Sequence, residues 1–360
     1  MYLKQLTHRN IHRIRNRMAL KPANVINLAL QGGGSHGAFT WGVLDYLLED
    51  GRLGFEGVSG ASSGAMNAAI MASGLAKGGN DAARTALRQF WERLSSEFSD
   101  VFSTPFYSSL LDMFDQSENP AVTNYLSLTD SFSPYQLNPL DMNPLRELVA
   151  ESVDFEYLKH NCPVKLFIAA TNVKTGKLKI FENAELSIDA LMASACLPSL
   201  HHAVEIDGES YWDGGYSGNP PVFPLIFSCQ EQDIVIVMLH PLEIGETPTT
   251  AEEIRNRAAE LSFNSAFLRE MRAIAMSKKM IEKNWLHSGK LEDRMHKIYI
   301  HLIENQQLST QYRSRSRYNT LPSFIELFYR EGYNTAQAWL ENNLEKLGKQ
   351  SSIDLETLFL

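Results

Sequence analysis

Hydrophobic positions along the chain change period several times. Val25-Ile26-Asn27-Leu28-Ala29-Leu30 is a short, mainly apolar run ending in glycines, the pattern of a buried strand. Phe39, Val43, Leu44, Leu47 and Leu48 then recur at helical spacing within residues 38–49. Phe55 to Ser59 predicts a second short strand, and Gly64 to Leu75 a helix of small residues. Val164 to Ala169 and Ile234 to Leu239 read as further central strands. Asp207-Gly208, between Val204-Glu205-Ile206 and Ser210-Tyr211-Trp212, predicts a hairpin with a type I′ turn. From Ala251 the pattern is helical through about Leu286; a strand-like Lys297 to Ile303 and a closing helix from Ser323 to Leu347 follow. Strands alternating with helices imply an α/β layered fold, with a largely parallel central sheet flanked by helices.

Two stretches depart from this rhythm. Residues 96–145 hold Phe98, Phe102, Phe106, Tyr107, Phe114, Tyr125, Phe132 and Tyr135, punctuated by Pro105, Pro120, Pro134, Pro139 and Pro144. A long aromatic insertion in a compact domain suggests a cap or acyl-chain-binding wall, the alternative being plain surface packing. At the amino end, Lys4, Arg9, Arg13, Arg15, Arg17 and Lys21 are basic, and Asp and Glu are absent from the first 44 residues. Leu3, Leu6, Ile11, Ile14 and Met18 fall near helical spacing, so the segment reads either as a peripheral contact with an anionic membrane or as a solvated helix beside the domain. The expected organisation is a basic segment over 1–23, a catalytic domain over 24–240 containing the insertion, and a mainly helical part over 241–360 packed on the same domain.

Composition narrows the class. A chain of 360 residues with 44% hydrophobic and 21% charged residues is ordinary for a globular protein and long enough for a full core. A formal charge of −9 argues against nucleic acid as a partner. Cys162, Cys196 and Cys229 cannot close a disulfide framework and suit a reducing compartment, so a cytoplasmic location is expected. The longest apolar run, Ile234 to Leu239, is far short of the ~20 residues that cross a bilayer, and the amino end lacks the apolar core of a signal peptide.

Three constellations carry candidate chemistry. Gly32-Gly33-Gly34-Ser35-His36-Gly37 lies between a predicted strand and helix, where backbone N–H groups and the helix dipole favour negative charge. It also satisfies Gly-x-Gly-x-x-Gly, and with Glu56 near the end of the next strand it has the layout of a dinucleotide-binding fingerprint; a tight turn with no ligand is the third reading. Gly60-Ala61-Ser62-Ser63-Gly64 is a Gly-x-Ser-x-Gly motif in the strand–turn–helix setting that exposes a serine nucleophile above a sheet. The Ser63 amide and those of the glycine loop could then receive the oxyanion that serine attack on an ester creates. None of the 10 histidines occupies a recognisable triad setting. Trp212-Asp213-Gly214-Gly215 offers a carboxylate at a strand end, which is either a turn residue or a base held against another loop. His201-His202 has no accompanying metal-ligand spacing, Cys196 suits a small apolar filler, and no metal or organic cofactor is expected.

In this order the three motifs resemble those of the patatin-like phospholipases. The similarity extends to Ala193-Ser194-Ala195-Cys196-Leu197-Pro198 and Gly218-Asn219-Pro220-Pro221, and runs from about Val25 to Leu347. It implies a patatin-like fold and a lipid-ester hydrolase with a Ser–Asp dyad: Ser62 as nucleophile, Asp213 as general base. Gly32, Gly33, Gly34 and Ser63 would form the oxyanion hole, with His36, Gly37, Gly60, Gly64, Gly214 and Gly215 in support. Many relatives carry Arg or Lys where this chain has His36, so His36→Arg is expected to keep activity and shift its pH profile. The competing functions are a dinucleotide-binding oxidoreductase using Gly32–Gly37 and a catalytically silent lipid-binding relative.

Overall fold

The computed structural model describes residues 24–102, 132–283, 289–312 and 314–360. The readings on the basic segment and on the middle of the aromatic insertion, residues 103–131, lie outside those residues. Eight strands form one sheet: β1 (Asn24–Leu30), β2 (Leu53–Gly60), β3 (Lys165–Asn172), β4 (Leu178–Glu182), β5 (Val204–Ile206), β6 (Glu209–Asp213), β7 (Asp233–Val237) and β8 (Tyr299–Ile303). The order is β5-β6-β3-β2-β1-β7-β8, with β4 paired to β3. Strands β3, β2, β1, β7 and β8 run parallel, while β4 and β6 are antiparallel to β3 and β5 to β6.

The main helices are α1 (Gly37–Asp50), α2 (Ser63–Phe102), α3 (Ile188–Ser194), α4 (Phe223–Ser228), α5 (Ala251–Glu282) and α6 (Pro322–Asn343). They cover both faces of the sheet. Ile26, Leu28 and Leu30 of β1 point into a core built with α1, α2 and α6, while Ala29, Ile234 and Ile236 face a second core with α4 and α5. Burial on both faces is why β1 and β7 read as nearly unbroken apolar runs. The expected hairpin is present: Asp207 and Gly208 have φ of 52° and 78°, as a type I′ turn requires.

The helix expected over residues 64–75 is present as the first part of α2, whose span joins two helical pieces across a non-helical kink. Lys77-Gly78-Gly79-Asn80-Asp81 interrupts the apolar rhythm and the chain bends at Gly78 and Gly79, but Ala83, Leu87, Phe90 and Trp91 resume a buried helical stripe. Residues 96–102, expected to open the insertion, are its last turns. At the other end of the insertion, Leu140 and Met142 are exposed. The closing helix ends at Asn343 and tightens into a 3-10 turn over Leu344–Lys346. Among the described residues no helix is long and apolar enough to cross a membrane.

Helices α1 and α6 cross closely because each has a glycine at the crossing. A Cβ on Gly42 would collide with the Tyr329 carbonyl, and one on Gly332 with the Phe39 carbonyl. In Gly42→Ala the better helix propensity of alanine, about 1 kcal/mol, opposes an overpacking cost of about 1–3 kcal/mol against backbone that cannot yield. The expected result is a lower urea midpoint at unchanged slope; an unchanged or raised midpoint would contradict the close crossing.

Candidate active site

The sheet register places the two candidate dyad residues. One edge of β3 is paired with β4 from Phe167 to Thr171, so both other neighbours share its opposite edge. There β2 pairs with the first half, ending with Gly60 against Ile168, and β6 pairs with the second half, starting with Asp213 against Ala170. The end of β2 and the end of β6 are thus in line along β3, two positions or about 7 Å apart. Ser62 follows the first end and Asp213 is the second.

The turn at Ser62 is tight. Ser62 has φ of 53°, a left-handed conformation that costs a side-chain-bearing residue of order 1 kcal/mol and persists only where the surroundings enforce it. The enforcement is visible on both sides. A Cβ on Gly60 would lie 2.7 Å from the Gly64 carbonyl, and one on Gly64 would run into the carbonyl of Leu30 at the end of β1. The Ser62 N–H donates to the Ser194 carbonyl at 3.1 Å and its hydroxyl at 3.0 Å, fixing the turn to the end of α3. Two residues beyond, the Cys196 carbonyl accepts from Asp213 N–H at 2.8 Å, so one short segment ties both residues.

Asp213 is fully buried. Its Oδ1 accepts from Gly215 N–H at 2.7 Å, while Oδ2 has no partner in full hydrogen-bond geometry among the described residues. Burial raises the carboxyl pKa to about 7; the Gly215 amide, the Ser62 hydroxyl and the Arg317 charge pull the other way. No Ser62–Asp213 hydrogen bond of full geometry is present among the described residues, as is common before substrate closes a site. A hydroxyl beside a carboxyl that ionises near neutrality permits proton transfer between them.

The glycine-rich loop is held from several directions. Gly32 N–H donates to Asn219 Oδ1 at 2.7 Å, and Asn219 Nδ2 returns a bond to the Gly32 carbonyl at 3.3 Å. Gln31 Oε1 accepts from the N–H groups of Leu239 and His240, and its Nε2 donates to Asn264. Gly33 N–H donates to Ser63 Oγ at 3.0 Å. Of the four amides the sequence groups together, those of Gly32 and Gly33 are engaged within the protein. Those of Gly34 and Ser63 have no acceptor among the described residues, and both residues line a cavity with Ser62. That cavity, of about 330 Å³, is mostly apolar, walled by Met66, Phe90, Trp91, Leu145, Leu197 and Leu200. Leu145 belongs to the end of the insertion, so the described part of that segment does form cavity wall.

Other sequence candidates separate from this place. Glu56 accepts from Lys165 Nζ and from the N–H groups of Gln230 and Glu231, beside the first residue of β3. It lies towards the amino end of the sheet, away from the glycine loop, so Glu56 is not placed to serve as the ribose ligand of a dinucleotide bound at that loop. His202 stacks on Tyr135 at 4.0 Å and bonds to the Pro134 carbonyl, anchoring the end of the insertion. The Cys196 thiol is pushed up to about 12 by burial, consistent with a filler. Motif reading missed Arg317, Tyr318 and Thr320, which line the Ser62 cavity from the far end of the chain. Their only signal is the alternating Arg-Ser run 313–317 outside any periodic element.

A family model described as patatin-like phospholipase matches residues 28–226. No curated protein sequence matches. Among solved structures, VipD from Legionella pneumophila aligns at 15% identity over 88% of this chain and 67% of its own, with a TM-score of 0.38. The complex of SpcU with ExoU from the type III secretion system of Pseudomonas aeruginosa aligns at 15% identity, covering 93% and 76%, with a TM-score of 0.28.

His36 sits in a packed, apolar setting. The ring is buried, stacked on Phe328 at 4.7 Å, and its Nε2 bonds to Ser316 Oγ at 2.8 Å. Burial, then the charges of His240 and Arg317, drive its pKa well below the ordinary value, so it is neutral. An arginine there would bury a charge beside Arg317. His36→Arg is therefore expected to lose about 3 kcal/mol or more of stability in urea denaturation. A variant with the wild-type midpoint would contradict the neutral, packed ring.

Proposed function

The chain belongs to the patatin-like phospholipase family of lipid acyl hydrolases, and on that premise we propose that it cleaves lipid carboxylic esters, as a phospholipase A or lysophospholipase does, through Ser62 and Asp213. The observation that supports this most is the in-line placement of the ends of β2 and β6 along one edge of β3. The Asp213 carboxylate takes the Ser62 proton as Oγ attacks the ester carbonyl carbon. The N–H groups of Gly34 and Ser63 receive the developing oxyanion, each such donor being worth about 3–4 kcal/mol. Asp213 then passes the proton to the departing alkoxide, leaving an acyl group on Ser62. Water, deprotonated by Asp213, attacks the acyl-enzyme; the fatty acid leaves and the serine is restored. Gly32, Gly33 and Asn219 hold the loop that presents the oxyanion site. No step requires a metal or an organic cofactor.

The apolar cavity beside Ser62 supports an acyl chain as the part of the substrate buried there. A peripheral position on a membrane, reached through the basic amino-terminal segment, belongs to the same reading, because the substrate resides in lipid aggregates.

A base must be ionised to accept a proton, so a carboxyl with a pKa of about 7 makes kcat/KM rise with pH through neutrality. Wild type is expected to be labelled by a fluorophosphonate and to show this rise. Ser62→Ala is expected to abolish labelling, and Asp213→Asn to slow it by about 10²–10⁴-fold. Labelling that survives in Ser62→Ala, or a wild type that neither labels nor hydrolyses any acyl ester even with candidate activators, overturns the proposal; the latter outcome favours a silent lipid-binding relative.

A further inference from the structure

We propose that the Tyr318 hydroxyl is a further catalytic group in the Ser62 cavity, donating a hydrogen bond to the alcohol oxygen of the ester as that oxygen departs. The inference rests on the reading of Ser62 as nucleophile and adds to it a residue that acts on the leaving group.

Tyr318 ends the 3-10 turn Ser314–Tyr318, well beyond the residues that match the family model. This turn is docked on the glycine-rich loop. A Cβ on Gly34 would collide with the Arg317 carbonyl, and Ser316 Oγ bonds to His36 Nε2 at 2.8 Å. The docking brings Tyr318 into the wall of the cavity that Ser62, Ser63 and Gly34 also line. One face of its ring is held by the Arg317 guanidinium, whose carbon stands 5.6 Å from the centroid. The same carbon stands 5.6 Å from the Phe263 centroid, and Phe263 packs on Gly215, whose N–H binds Asp213 Oδ1 at 2.7 Å. Tyr318 therefore belongs to a contiguous cluster that ends at the candidate base. Tyr216 packs on Phe263 in that cluster at 4.7 Å but does not line the cavity, so among the described residues Tyr318 brings the one phenol there.

Two features give this hydroxyl a task. It has no hydrogen-bond partner among the described residues, and the cavity around it is mostly apolar. Its partner then comes from what fills the cavity, and a substrate oxygen gaining negative charge is the strongest acceptor to arrive there. Burial raises its pKa above the ordinary phenol value; Arg317 opposes this and the Asp213 charge adds to it, so the phenol keeps its proton and acts as a donor. The carbonyl oxygen of the ester turns away from the Asp213 charge, towards the N–H groups of Gly34 and Ser63. The alcohol oxygen faces Asp213, because the proton it needs comes from there. A donor that feels the Asp213 charge from within the cavity thus stands on the side of the alcohol oxygen. As the tetrahedral intermediate collapses, the bond between the carbonyl carbon and the alcohol oxygen breaks, and its electron pair stays on that oxygen. Asp213 hands over the proton taken from Ser62, and Tyr318 stabilises the passing charge without giving up its own proton. Esters of poorly leaving alcohols, glycerol among them, gain most.

The dependence of rate on leaving group tests this in the full-length chain. The probes are nitrophenyl hexanoate, whose leaving group departs unaided, and ethyl hexanoate, whose leaving group must be protonated. In Tyr318→Phe, kcat/KM for the ethyl ester is expected to fall about 10–100-fold further than for the nitrophenyl ester, the worth of a hydrogen bond to a charged acceptor. Equal losses on both esters would put the hydroxyl at the oxyanion or give the ring a structural role only, and either result overturns the proposal. No loss on the ethyl ester, or a wild type that cleaves the nitrophenyl ester and leaves the ethyl ester intact, overturns it too. Should Tyr318→Phe fail to fold, Tyr318→fluorotyrosine keeps the ring and strengthens the donor. It is expected to raise the ratio of ethyl to nitrophenyl turnover, and an unchanged or lower ratio is the contrary result. Nitrophenyl ester turnover that is present in wild type and lost in Ser62→Ala upholds the nucleophile whatever Tyr318 does, so failure of this inference is distinct from failure of that reading.

Discussion

The arrangement depends on one close approach of backbone to backbone. The chain leaving β2 turns so sharply at Ser62 that Gly64 lies against the end of β1, with no room for a side chain at either flanking glycine. The left-handed conformation of Ser62 is a cost of that turn, and the bonds from its N–H to Ser194 help to hold it. Because β1 delivers the glycine-rich loop, the same contact fixes the distance between that loop and the serine. The sheet then supplies the carboxyl. Since β4 covers one edge of β3, β6 can pair only on the edge that β2 has vacated, and its last residue is Asp213.

Burial is what gives the site its electrical character. Asp213, His36 and His240 are all sequestered from water, and in each the neutral form gains from it: the carboxyl rises to about 7, and His240 falls to about 3. His240 Nε2 bonds to the Gly32 carbonyl at 3.1 Å, so two uncharged imidazoles brace the glycine-rich loop. The charge near the loop is that of Arg317. A carboxy-terminal part beginning at α5 is therefore more than a flank: Asn264 reaches Gln31, Phe263 reaches Gly215, and the turn carrying Arg317 closes on Gly34.

Much of this was legible in the chain. The apolar runs of β1 and β7 and the Asp-Gly hairpin were readable because burial on both faces and a type I′ turn each impose a specific local pattern. The motifs around Gly32, Ser62 and Asp213 were readable for a related reason, since turns that admit no side chain leave glycines at fixed offsets. What sequence did not reveal depends on contacts distant in the chain. Nothing local tells Gly32 and Gly33 that Asn219 and Ser63 will take their amides, nor His36 that Phe328 will stack on it and keep it neutral. The second helical piece of α2 was hidden because the glycine pair 78–79 leaves helical geometry and separates it from the predicted helix. Arg317 carried no motif because its place in the cavity wall comes only from where α6 and the preceding turn are packed.

The central claim is convergence: a hydroxyl, a carboxyl and two open amides around one apolar cavity. A crystal structure of the chain trapped by an alkyl phosphonate tests it most directly. The account predicts phosphorus bonded to Ser62 Oγ, the phosphonyl oxygen received by the N–H groups of Gly34 and Ser63, and the alkyl chain lying along Met66 and Leu145. Phosphorus on another residue, or a phosphonyl oxygen turned away from both amides, would contradict it.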